Sequence, residues 1–126
     1  MKIEVNVANL KALESLFYDI SEVAEESINK IRYFSKSISL NSLLIARVPQ
    51  LKAIENKLIH IVKLSRACAI KLKHINEVKE KTSPVVAIDT VMLDVFKNVF
   101  DEIVGIVKES ITSLNYIEQL SDIEER

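Results

Sequence analysis

The sequence predicts an all-α fold, an elongated antiparallel bundle of three long helices that dimerisation could complete. Three observations carry this reading. Glycine occurs once in 126 residues, against roughly nine at average usage. Tight hairpins, phosphate loops and nucleophile elbows are therefore starved of the residue that supplies positive φ. Apolar residues recur at spacings of three and four through three long segments, the amphipathic helix signal. The interruptions between those segments are short and rich in Ser, Asn and Pro.

Ile3, Val5 and Val7 alternate with Lys2, Glu4 and Asn6, a period of two that suits a short edge strand. A segment this short cannot form a sheet alone, so it is expected to be a lead-in or packing arm. The first helix is predicted over residues 8–39, with Leu10, Leu13, Phe17, Ile20, Ala24, Ile28, Ile31, Phe34 and Ile38 on its core face and Asn6 or Asn9 as N-cap. Ser39, Asn41 and Ser42 compete for helical backbone bonds and mark the first break. Residues 43–48 read as a short helical piece or connector, because Pro49 biases Val48 away from helix.

The second helix is predicted over 49–80, with its stripe running from Leu51 and Ile54 through Ile61, Ser65, Cys68 and Leu72 to Ile75 and Val78. Lys79, Glu80, Lys81 and Thr82 close it, and Ser83-Pro84 reads as an N-cap followed by proline at the first helical position. The third helix is predicted over 84–120, fading into a polar tail at 121–126. Of the 23 residues from 85 to 107, 15 are apolar, too many for a surface helix with one buried stripe. That surplus predicts an interface with a second copy or a helical partner, formed by Val85, Val91, Val95, Phe96, Val99, Phe100, Val104 and Val107.

Near-neutrality conceals segregation. Residues 1–40 carry five basic and six acidic side chains, residues 41–81 nine and three, and residues 82–126 three and nine. The basic second helix suits nucleic acid or an acidic membrane surface, or else an antiparallel match to the acidic third helix that sets register. No aromatic residue interleaves with its cations and the net charge is −1, so helix pairing is the expectation and a nucleic-acid partner is disfavoured.

Catalysis finds little to work with. His60 and His74 are 14 residues apart, about 21 Å along a helix, and cannot share a metal; each is expected at a solvated or boundary position. Cys68 lies on an apolar face as a small buried hydrophobe and cannot form an internal disulfide. No Gly-framed nucleophile elbow or phosphate loop exists, and Gly105 sits within a helix, where it would permit close helix approach. The expected protein is non-enzymatic and without a cofactor. The opening residues lack the apolar core of a signal peptide and no run approaches the roughly 20 apolar residues of a membrane span, so a soluble, cytoplasmic chain is expected.

Asp94, Asn98, Asp101 and Glu102 place oxygens along one side of the third helix, where a hard cation would bind only if a second helix contributed more, as Glu22, Glu25 and Glu26 of the first would; a solvated acidic face is the expectation. Pro84-Val85, Asp89 and the run Phe96 to Ile103 resemble the helix of PhoU-type phosphate-signalling regulators, in which a proline-valine opens a helix bearing a carboxylate-rich metal motif. The stretch 54–81 is similar in pattern to that family's middle helix. The resemblance implies a three-helix bundle and a metal-binding regulatory role for Asp94, Asp101 and Glu102. Residues 1–17 are also similar to the N-termini of small helical partners of type VII secretion, whose tryptophan-glycine turn is absent here.

Overall fold

The structure, a computed structural model, describes residues 1–79 and 84–125. The chain runs β1 (Lys2–Asn6), α1 (Val7–Ser37), a 3-10 turn η1 (Leu43–Arg47), α2 (Val48–Lys79), β2 (Val85–Asp89) and α3 (Thr90–Glu125). The predicted three-helix bundle is present.

The strands form the main departure. Val85–Asp89 is not the first turn of the third helix but a strand antiparallel to β1, with Ile3 opposite Ile88 and Val5 opposite Val86. Val-Val-Ala-Ile is a continuous apolar, β-branched run, and such a run fits strand or buried helix equally well by periodicity. The lead-in thereby finds the partner it lacked. Val7 N–H donates to the Pro84 carbonyl and Thr90 N–H to the Met1 carbonyl, each at 2.9 Å, closing the ladder at both ends. A two-stranded ribbon is marginal in water; this one buries Val86 and Ile88 against the helices.

Pro84 therefore precedes a strand, and α3 starts at Thr90, where the Asp89 carboxylate accepts the Val91 N–H at 3.0 Å. The expected stop at Glu80 to Thr82 and N-cap at Ser83 lie outside the described residues. Asn6 caps α1, its side chain accepting Ala8 N–H at 2.8 Å. Ser42 caps η1 through Leu44 N–H at 3.0 Å. Val48 adopts αR backbone as the first residue of α2, one position ahead of the expectation. The tail is helical too, to Glu125: Glu124 accepts Ser42 Oγ at 2.6 Å and Leu43 N–H at 3.2 Å, tying the end of α3 to η1.

These ties set the directions. α1 and α3 both leave the ribbon and run parallel to the η1 end, and α2 returns between those ends antiparallel to them. The core is three clusters along this axis. Beside the ribbon, Val7, Leu10, Phe17, Leu72 and Phe96 pack with Val86 and Ile88. Midway, Ala24 and Ile28 meet Ile61, Val62 and Ile103. At the far end, Leu44 and Leu51 meet Ile117. Phe17 is the hinge of the α1 to α3 contact, stacked on Phe100 at 4.5 Å between centroids and tilted against Phe96 at 6.1 Å. Gly105 departs from its expected role: a Cβ there would meet nothing within 4 Å, so it faces open space.

Candidate functional site

Two depressions of similar size lie on opposite sides of α1, and their chemistry separates them. Between α1 and α2, Glu25, Asn29, Arg32, Lys63 and Arg66 line a polar furrow of about 570 Å³. Ion pairs cross it: Arg66 pairs with Glu25, and Arg32 reaches the Glu55 carboxylate at 3.1 Å. Glu55 is buried and also accepts from Lys52 at 2.7 Å. The Lys52 hydrogen bond, helped by Arg32, holds its carboxyl below the usual range despite burial. These contacts fix α1 against α2.

Between α1 and α3 the groove is apolar. About 510 Å³ is enclosed by Leu16, Ile20 and Val23 of α1, Leu58 and Ile61 of α2, and Ile103, Val107, Ile111 and Leu114 of α3. The side chains on its lips are exposed rather than folded inward: Leu16 is 46% exposed, Val23 62% and Ile111 52%. Their spacing gives the groove its shape. Leu16, Ile20, Val23 and Ser27 follow a heptad rhythm on α1, which Lys30 interrupts at the next position, and Val107, Ile111 and Leu114 follow it on α3, continuing the row of Phe100 and Val104 beyond the groove. A 3.5-residue repeat is the pattern of a helix seam, in which a side chain of a facing helix enters the space between four neighbours. Here α1 and α3 present two parallel seams side by side, with α2 as the floor. Ser110 also lines the groove; its hydroxyl is buried and has no hydrogen-bond partner among the described residues.

The interface expected from sequence divides in this setting. Val107 lines the groove, and Val104 is exposed beside it without lining it. Phe100 and Val99 are half-buried against the core. Phe96 departs from the expectation: it is buried among Phe17, Leu72 and the ribbon, and no partner can reach it. Val91 and Val95 are exposed at the ribbon end of α3, beside Lys71 and Asp89, and Val85 is partly exposed on β2. The sequence reading missed Leu16, Val23, Ile111 and Leu114. The signal was a second apolar row beside each core stripe.

Asp94, Asp101 and Glu102 do not converge. Asp94 and Asp101 are seven residues apart, about 10 Å along the axis, and Glu102 is engaged with His60 Nε2 at 2.8 Å. Among the described residues no group of three or more His, Cys, Asp or Glu side chains could hold a metal ion. Among the described residues the charge match between α2 and α3 is present in two pairs, His60 with Glu102 and Lys57 with Glu109, each at 2.8 Å. Lys57 holds the Glu109 carboxyl below its usual range. Other cations of α2 turn to α1, as Arg66 does and as Lys63 does in lining the furrow, or are exposed, as Lys71 and Lys73 are. Cys68 is buried, and desolvation raises its thiol above the ordinary value.

Among the described residues no helix is long and apolar enough to cross a membrane. The chain matches no protein-family model, no curated protein and no solved structure.

Proposed function

We propose that this protein acts by association rather than catalysis, and that the groove between α1 and α3 is its docking surface for a helical partner face. The observation that carries this reading is the pair of parallel heptad rows with exposed aliphatic lips over an apolar floor. Exposed apolar side chains that are scattered need no explanation; a contiguous, periodic set marks an interaction site. A helix laid in such a groove reads it through anchors spaced at three and four residues. The floor and the tight α1 to α2 packing hold the groove open before any partner arrives, so docking need not pay for folding the surface.

The test uses an anilinonaphthalene sulfonate dye on the dilute chain. The reading expects saturable fluorescence enhancement that disappears in the double variant Val23→Glu and Ile111→Glu, with helical circular dichroism unchanged. A wild-type chain that binds no dye, or a double variant that unfolds because these side chains are core, contradicts it.

A further inference from the structure

The rims of the groove carry information beyond its apolar lining. With Leu16 and Val23 at heptad position d on α1, Asp19 and Glu26 fall at the flanking g position. With Phe100, Val107 and Leu114 at d on α3, Asp101, Lys108 and Asn115 fall at the flanking e position. The α1 rim is acidic, and the α3 rim bears a lysine at its centre. Among the described residues neither Asp19 nor Lys108 has a side-chain partner within the chain.

Resting on the docking reading above, we infer that the occupant of the groove is a second copy of this chain, bound about a two-fold axis parallel to the helices so that α1 of each copy lies against α3 of the other. The axial levels follow from the stack of Phe17 on Phe100, which brings Leu16 to within about one residue rise, about 1.5 Å, of the level of Phe100 and Val23 to within the same distance of Val107. A two-fold axis parallel to the helices preserves those levels between copies. In parallel helices a g residue meets the e residue five positions further along the partner. Asp19 then meets the partner's Lys108, and by symmetry the pair occurs twice. Glu26 meets the partner's Asn115, and Asp101 meets the partner's Ala12, so no like charges face one another.

The alternative two-fold, perpendicular to the helices, sets α1 against α1 antiparallel. It brings the acidic rim, Asp19 and Glu26, against its own copy, which like-charge repulsion disfavours. The lined groove, from Leu16 to Ser27, is about 17 Å long and two helix diameters are about 20 Å wide, giving about 340 Å² of face per copy, a small interface that predicts a weak, reversible dimer.

Sedimentation equilibrium on the full chain decides the matter with wild type, Asp19→Lys, Lys108→Asp, and an equimolar mixture of the two variants. Each single variant places like charges at both rim pairs and is expected to weaken the dimer about tenfold. The mixture is expected to recover wild-type affinity, because in the mixed dimer both pairs are again of opposite sign. Only a two-fold contact of α1 on α3 gives that recovery. A wild-type chain that stays monomeric up to about 500 μM while its groove still binds dye overturns the second copy and leaves the docking reading standing. A dimer sensitive to Val23→Glu but not rescued by mixing overturns the parallel two-fold. A dimer indifferent to the swaps and to Val23→Glu uses another surface and overturns both.

Discussion

Replacing Phe17 by alanine removes the side chain through which α3 is seated on α1. Phe17 is fully buried, and its ring stacks on Phe100 and tilts against Phe96. Deleting a buried phenylalanine costs about 3–5 kcal/mol through lost transfer energy and the cavity left behind. Each aromatic contact adds about 0.5–1.5 kcal/mol beyond area, which places the loss near the top of that range. A chain of this length is expected to have roughly 6–19 kcal/mol in hand, so the variant folds with a reduced margin. With an unfolding entropy of about 0.26 kcal/mol/K for this length, a loss of about 5 kcal/mol lowers Tm by about 19 °C. Urea unfolding of the dilute chain is the assay, since dimer linkage would otherwise add to apparent stability. Val91→Ala on the exposed side of α3 serves as the control and should cost less than about 0.5 kcal/mol. A loss under about 2 kcal/mol for Phe17→Ala, or an equal loss for the control, would refute the packing argument.

Other outcomes follow from the same structure. Gly105 lies within α3 at negative φ with open space where a Cβ would go, so Gly105→Ala should raise stability by about 0.5–1 kcal/mol in urea unfolding. Glu55 has its carboxyl held low in the folded chain by Lys52 and Arg32, so its stabilising contribution is present above the unfolded value near 4.5 and is lost as pH falls through the folded value. Glu55→Gln should cost about 1–2 kcal/mol at pH 7, a figure discounted for partly exposed cations, and should flatten the acid limb of a stability-against-pH curve. Burial raises the Cys68 thiol, so a thiol reagent at pH 7.5 should label the native chain far more slowly than the urea-unfolded one.

The helices were legible because their information is local. Asn6 and Ser42 cap as side chains of their type do, and the core row of α1 repeats at three and four residues over nearly its whole length. The ribbon was half legible. The alternation at Ile3, Val5 and Val7 marks a strand, but its partner lies some 80 residues away inside a greasy run whose pattern does not separate strand from helix, and pairing at that distance is a tertiary fact. The proline misled for the same reason: Pro84 suits the first turn of a helix and equally the approach to a strand. The polar tail reads as a frayed end until Glu124 is seen capping η1. For the site, the surplus of apolar residues on α3 was visible, and the position of the opening was not. Phe96 and Val104 look alike in sequence, and only the seating of α3 on Phe17 turns one inward and the other out. The α1 wall went unread because Leu16 and Val23 stand beside a more obvious core row.

The central claim is that the apolar groove between α1 and α3 is where this chain binds its partner face, and that this face is its own copy. The most direct measurement places cysteines at Asp19 and Lys108 in one chain and oxidises it gently at about 500 μM. The two positions lie on opposite outer rims of one protomer, and native Cys68 is buried. The account predicts a covalent dimer closed by disulfides between α1 of one copy and α3 of the other, abolished when Val23→Glu is added. A chain that stays monomeric under oxidation, or that cross-links equally well with the groove charged, would contradict it.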